Sequence, residues 1–216
     1  PEASAAYEAA IETYKQDVAA ARMAQWRNRC VSDGYEPGST FKLITLASAL
    51  DSGAVTLNDS FYCGGQEKFT GREQILNCWK SAGHGAQTTA QALGNSCNIA
   101  FGHIGLRMGG DTFYDYLKSF GIMEKTGVDL PGEASGLFYE RKYLNDPANY
   151  GTSYLITSSF GQSFRITPMQ LVRAVAAIVN GGYVLEPYIV SEVVDADGNT
   201  VEKNEKTVLR QVISQQ

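Results

Sequence analysis

Ser39 and Lys42 stand three residues apart at the mouth of an apolar run, directly after the chain breakers Pro37 and Gly38. Apolar residues then recur at helical spacing, Phe41, Leu43, Ile44, Leu46, Ala47 and Leu50, until Asp51-Ser52-Gly53 ends the run. A helix starting here carries Ser39 in its first turn and Lys42 on the same face, so the amine reaches the hydroxyl it must deprotonate. The unpaired N–H groups and positive dipole end of that turn favour a developing oxyanion. Burial of Lys42 lowers its pKa, as a proton acceptor near neutral pH requires. The tetrapeptide alone also fits a capping serine ahead of a solvated lysine, so a second feature has to decide.

That feature is Leu93-Gly94-Asn95-Ser96-Cys97-Asn98, a polar turn between apolar segments. Such a loop can aim the Ser96 hydroxyl at the Ser39/Lys42 pair and the Asn98 amide at a substrate carbonyl. Taken by itself it could equally be a helix cap.

Four stretches in one order, YEPGSTFK from Tyr35, Ser96-Cys97-Asn98, TGVDLPGE at 126–133 and FGQSFRITPMQLVRAVAAIVNGG at 160–182, together resemble the transpeptidase domain of class B penicillin-binding proteins, most of all the Gram-positive sporulation and elongation types. The resemblance covers residues 24–216. It implies an α+β, serine β-lactamase-like fold, here a helix-rich fragment lacking much of the antiparallel sheet. It also implies a serine-type peptidoglycan D,D-transpeptidase that forms an acyl-enzyme with D-Ala-D-Ala stem peptides and is acylated by β-lactams, with no cofactor for catalysis. By the same resemblance Ser39 is the nucleophile, Lys42 the base, Ser96 a proton relay to the leaving group and Asn98 a substrate-binding donor. A partner glycosyltransferase of the cell-wall machinery, a membrane tether in the full-length protein, and a place on the extracytoplasmic face of the bacterial membrane come with it.

The family's third motif, Lys-Thr/Ser-Gly on a cleft strand, has an apparent match in Lys125-Thr126-Gly127. The triplet runs into Val128-Asp129-Leu130-Pro131-Gly132-Glu133, whose turn formers argue for a loop. The catalytic triplet is therefore expected beyond Gln216. A silent penicillin-recognising or partner-binding module of the same fold is the alternative function. A class A β-lactamase would need a Glu-x-x-x-Asn loop, and Glu140 and Asn145 are spaced one residue too far.

Cys63 and Cys78 bracket a glycine-rich stretch, and His84 follows. Two thiolates and an imidazole are donors of the kind zinc takes, with Asp33 or Cys30 as a fourth. A Cys63–Cys78 disulfide and two unconnected thiols are the rival readings. Some clostridial relatives look like zinc binders at such a cluster, and a closed site of this type is structural. Cys97 is read as a small buried side chain.

A net charge of −5 argues against nucleic acid. At 216 residues with 44% hydrophobic content, the chain is read as a linker helix over 1–28 and a partial transpeptidase domain over 29–216. Helices are expected at 87–94, 99–108, 112–120 and 168–180, a hairpin within 54–80, irregular chain over 121–150, and a second hairpin from 183–194 to 200–203; Ser153 to Phe160 is left open.

Overall fold

The computed structural model describes residues 2–146 and 151–215. Helix α1 (Glu2–Gln25) is exposed along nearly its whole length, and the short α2 (Arg29–Ser32) buries only Val31. A single 3-10 turn, Gly38–Phe41, then leads into α3 (Lys42–Asp51). Strands β1 (Ser60–Cys63), β2 (Gln66–Glu67), β3 (Leu76–Asn77) and β4 (Gly85–Thr88) follow, then helices α4 (Thr89–Gly94), α5 (Asn98–Met108) and α6 (Gly110–Ser119). The chain continues through α7 (Arg141–Leu144), α8 (Gly151–Ser159) and α9 (Pro168–Val179) to β5 (Tyr183–Glu186), β6 (Glu192–Val194), β7 (Thr200–Lys203) and β8 (Thr207–Gln211). Among the described residues the strands form four separate antiparallel pairs, β1 with β4, β2 with β3, β5 with β8 and β6 with β7. No helix among them is long and apolar enough to cross a membrane.

The core is helical and is organised by α5. Its residues Ile99, Ala100, Phe101, Ile104 and Met108 are all buried, so the helix is apolar on most of its circumference and is packed on several sides. Two glycines let α8 lie against it. A Cβ on Gly102 would come 3.2 Å from Ile156, and one on Gly105 only 2.7 Å from the Ser159 side chain. Helices α4 and α9 begin with reciprocal capping boxes, Thr88 with Gln91 and Thr167 with Gln170, and Pro168 occupies the first turn of α9. These are local sequence signals, which is why the boundaries of both helices fall within two residues of expectation.

The strands depart from expectation more than the helices do. Within 54–80 the expected short hairpin is the antiparallel pairing of β2 with β3, but β1 finds its partner outside that range. Cys63 pairs with Gly85, and the smaller β2–β3 ladder sits inside that longer loop. Of the segment 183–194, only its second half turns back on 200–203. Tyr183–Glu186 pairs instead with Thr207–Gln211, because Pro187 interrupts the strand and Asp129 takes the N–H groups of Ile189 and Val190. Within the stretch expected to be irregular, α7 forms a single turn, and α8 fills the segment left open. Residues 147–150 of that stretch lie outside the described residues.

The Gly38–Phe41 turn is held from behind by the loop that follows α8. Gly38 N–H donates to Gly161 O at 2.8 Å, Tyr35 and Ile166 exchange backbone hydrogen bonds, and Glu36 accepts from Ser163 N–H at 2.8 Å. Phe41 meets Phe164 edge to face at 4.7 Å. Gly161 has φ +83°, and a Cβ there would stand 2.1 Å from Gly38 O. Gly161→Ala therefore combines left-handed strain with a backbone clash. Its expected cost is more than about 2 kcal/mol, against about 1 kcal/mol for Gly198→Ala, which carries the strain alone at φ +85° with open space around it. Urea denaturation of the two variants checks the difference.

Candidate active site

Lys42 begins α3 one turn after Ser39, and its side chain is driven under the surface between α3 and α5. The residue is 1% exposed, whereas Ser39 above it faces solvent. The helix proper starts later than the spacing suggests. Ser39 lies in the preceding 3-10 turn, and the Lys42 N–H returns to Ser39 O and Thr40 O. The two side chains still share a face, because residues three apart eclipse in a 3-10 turn.

The amine Nζ is placed to bond four oxygens: Ser39 Oγ at 3.1 Å, Ser96 Oγ at 3.0 Å, Ser96 O at 2.8 Å and Asn98 Oδ1 at 2.8 Å. All four are neutral, and an ammonium has only three hydrogens to share among them. Burial with no carboxylate in this set brings the Lys42 pKa down from the ordinary 10.5 to about 8, and the thiols of Cys97 and Cys78 hold it up slightly. Ser96 Oγ donates to Ser39 Oγ at 2.9 Å. The three groups thus form a closed hydrogen-bonded triangle along which a proton can move. With Asn98 Oδ1 accepting from Lys42, the Asn98 NH2 is left as a donor.

Ser96 achieves this with its backbone at φ +49°, left-handed for a residue with a side chain. Such a conformation costs of order 1 kcal/mol and persists only where neighbours fix it. The fixing is visible on both sides. The capped helix α4 ends at Asn95, whose amide donates to Gln87 Oε1 at 3.0 Å, and α5 begins at Asn98.

A second cluster lies on the other face of the same loop. Cys63, Cys78, His84 and Cys97 bring their donor atoms within 4.8 Å of one another. The fourth member is Cys97, the middle residue of Ser96-Cys97-Asn98. Asp33, the expected fourth, is instead ion-paired with Arg27 at 2.6 Å, and Cys30 is exposed. All four cysteines are unlinked. The sequence carried only one hint of Cys97, that it is a further thiol expected to be buried; what brings it to Cys63, Cys78 and His84 is tertiary packing.

Two glycines bring the cluster together. Gly65 and Gly83 have φ +92° and +75°, and Cβ atoms there would lie 1.9 Å from Ser81 O and 2.3 Å from Cys63 O. Backbone therefore meets backbone beside Cys63. His84 Nδ1 is 3.7 Å from Cys78 Sγ, and its buried Nε2 has no partner. Burial, with Lys80 and Lys42 nearby, keeps the imidazole pKa below the usual value, so the ring is neutral. Burial pushes the Cys97 thiol up to about 11. Burial acts the same way on Cys78, but hydrogen bonds from Lys80, Asn98 and neighbouring thiols outweigh it and bring that thiol below its ordinary value. Three sulfurs and a neutral imidazole match the donor set of a closed tetrahedral zinc site.

Lys125-Thr126-Gly127 stands apart from both clusters. Thr126 is 2% exposed, and its N–H and hydroxyl go to Glu133 Oε1 at 2.6 and 2.5 Å while Gly127 N–H goes to Glu133 Oε2 at 3.1 Å. The buried Arg173 of α9 donates to Gly121 O at 2.7 Å and Thr126 O at 3.2 Å, tying the loop down from below. No strand contains the triplet.

The family described as penicillin binding protein transpeptidase domain matches residues 3–216. Stage V sporulation protein D of Bacillus subtilis is 42% identical over 192 residues, which are 88% of this chain and 28% of that protein. Peptidoglycan D,D-transpeptidase MrdA of Escherichia coli is 30% identical over 179 residues, 81% of this chain and 28% of that protein. Among solved structures, the D,D-transpeptidase domain of a peptidoglycan glycosyltransferase from Eggerthella lenta superposes with TM-score 0.79 at 26% identity, over 88% of this chain and 47% of that one. Penicillin binding protein 3 of Mycobacterium tuberculosis, complexed with aztreonam, gives 0.74 at 27% identity, over 87% and 40%. The chain thus spans 28% of the length of these two curated relatives.

Glu133→Ala would leave the Thr126 and Gly127 N–H groups and the Thr126 hydroxyl without their carboxylate. Unpaired buried groups cost about 1–3 kcal/mol, so the expected result is a loss of stability of that order. Acylation at Ser39 should be unchanged, since the Glu133 carboxylate bonds to Thr126 and Gly127 and not to the Lys42 cluster. Denaturation and acylation measured on the same variant check both halves.

Proposed function

The chain belongs to the penicillin-binding protein transpeptidase family, and on that premise we propose that it carries the acylation centre of a peptidoglycan D,D-transpeptidase. Supporting this reading above all is the buried amine of Lys42, held against both the Ser39 and Ser96 hydroxyls with only neutral partners. In its unprotonated form the amine takes the Ser39 proton as Oγ attacks the carbonyl of a D-Ala-D-Ala stem peptide. The bond to the terminal D-Ala nitrogen breaks, and that amine leaves with a proton passed through Ser96. An amine of a second stem peptide then attacks the ester carbon, its proton passing through the Lys42/Ser96 pair to Ser39 Oγ as the ester bond breaks and the serine hydroxyl is restored. The Asn98 NH2 group holds the donor's amide carbonyl. A β-lactam follows the first half of this course and stays on Ser39. The catalytic set is Ser39, Lys42, Ser96 and Asn98.

The enclosed place of Lys125-Thr126-Gly127 supports a catalytic Lys-Thr/Ser-Gly strand elsewhere in the intact protein. The present residues alone would then lack part of the oxyanion hole and the cation for the substrate carboxylate. The intact protein would act outside the cytoplasmic membrane, tethered there and working beside a cell-wall glycosyltransferase.

The reading extends to a structural zinc held by Cys63, Cys78, His84 and Cys97. Bound there, the metal would supply a rigid tetrahedral crosslink and no catalytic water, because four protein donors close the site. Its supports are the orphaned His84 Nε2 and the donor set itself. Through Cys97 the crosslink would fix Ser96 on one side and Asn98 on the other.

A fluorescent penicillin applied to the intact protein should label Ser39 alone. Ser39→Ala should abolish labelling and Lys42→Ala slow it by about 10²- to 10⁴-fold. The rate should rise with pH through about 8, where Lys42 loses its proton. Labelling that survives Ser39→Ala, or a rate flat from pH 6 to 9, counts against the assignment.

Protein purified without chelator should hold about one zinc per chain, and chelation should lower its melting temperature, since metal binding contributes folding free energy directly. A linked Cys63–Cys78 peptide in a non-reducing digest would instead favour the disulfide.

A further inference from the structure

We propose that α1 is a docking helix for a second copy of this chain, the two copies pairing through it as a short, parallel, two-stranded coiled coil. In folded proteins most of a helix's stability comes from burying one face rather than from propensity. Yet between Ser4 and Gln25 only Val18 is even partly covered, while Tyr7 is 67%, Tyr14 68% and Ile11 36% exposed. Two tyrosines and an isoleucine held in water on one helix call for a partner that removes them from it.

The spacing says what kind of partner. Tyr7, Ile11, Tyr14, Val18 and Ala21 follow one another in steps of four, three, four and three. A row with that mean period of 3.5 stays against a neighbouring helix when the two wind left-handedly around each other. Counted as heptads, Ile11 and Val18 fall on the a positions, where β-branched side chains favour two strands over three or four, and the tyrosines and Ala21 fall on d.

Charge says that the partner is the same helix. Asp17 flanks the seam on the g side and Arg22 on the e side. Five residues apart on one helix, the two do not face each other, and among the described residues neither takes part in an ion pair. In a parallel pair the g residue of one helix faces the e residue five positions further along the other. Asp17 of each copy then meets Arg22 of its neighbour, once on each side of the seam. One heptad earlier the small Ala10 faces Lys15, which keeps Glu12 of its own helix at 3.9 Å, so no like charges oppose one another. The size of the seam sets the strength. Covering four tyrosines at about 150 Å² each, with the a residues and the stems of Lys15 and Arg22, brings the contact toward roughly 1,000 Å². That is the lower edge of specific interfaces, so the pairing is reversible and depends on concentration.

The test is sedimentation equilibrium of the detergent-solubilised intact protein over a concentration series. Wild-type protein should pass from monomer to dimer as concentration rises. Ile11→Asp places a charge in the seam and should weaken the dimer about tenfold or more. Asp17→Arg sets arginine against arginine and should weaken it about threefold or more, and adding Arg22→Asp should restore wild-type affinity, because the exchanged pair attracts again. Met23→Lys, on the outer face, should change nothing. If Ile11→Asp unwinds α1, the charge exchange still decides, since neither residue lies in the seam. A monomer at every concentration would mean that another part of the intact protein, or a different partner, covers α1. A dimer indifferent to both Ile11→Asp and Asp17→Arg would use another surface. A dimer broken by Ile11→Asp but indifferent to Asp17→Arg, or not restored by the exchange, would not be the parallel pair. Each of these results overturns the proposal.

Discussion

An amine buried among neutral oxygens is the constraint around which this molecule is arranged. Lys42 gains no carboxylate from its four oxygen partners, so its charged form is disfavoured by desolvation and the neutral base becomes accessible near pH 8. The same burial has a cost with a definite sign. A lysine whose folded pKa lies below its unfolded value weakens folding at pH below 8, and that penalty disappears as pH rises through 10.5. The protein tolerates it because the surrounding core is large and dry. Phe41, Ile44, Phe101 and Ile104 are all fully buried around the helices that hold the amine.

Holding that amine requires a loop in a strained conformation, and the rest of the architecture serves the loop. Ser96 turns left-handed so that its carbonyl and hydroxyl both face Lys42. Helix α4 delivers it, α5 carries Asn98 away from it, and Cys97 between them points into the opposite cluster of sulfur and imidazole. The glycines at 65 and 83 allow the Cys63 strand and the His84 turn to touch, and Gly102 and Gly105 allow α8 to lie against α5. The Ser39, Lys42 and Ser96 side chains and the cysteine cluster therefore meet on two faces of one three-residue segment, Ser96-Cys97-Asn98.

How far sequence patterns reach is clearest at three places. The α4 and α9 boundaries were legible because capping boxes and an N-terminal proline act over four residues. Lys125-Thr126-Gly127 could be recognised as a loop because Pro131 and Gly132 follow it, although the carboxylate of Glu133 that consumes its polar groups is a tertiary fact. The partners of β1 and β5 were not legible. Strand pairing is a long-range choice, settled here by where Gly65 lets the chain turn and by Asp129 capturing the N–H groups beyond Pro187.

By itself the sequence determined the chemistry: a serine and a lysine on one helical face, a polar turn able to meet them, and thiols enough for a crosslink. Residue type and local spacing carry that information, since hydroxyl, amine and sulfur reactivity belong to the side chain and a helical face to near neighbours. The tertiary structure decided the environment. It lowered the Lys42 pKa by burying the amine, it bent Ser96 into a left-handed turn, it chose Cys97 over Asp33 as the fourth member of the cluster, and it left Trp79 facing outward. Burial and proximity between residues tens of positions apart are properties of packing, and packing is settled only when the whole core closes.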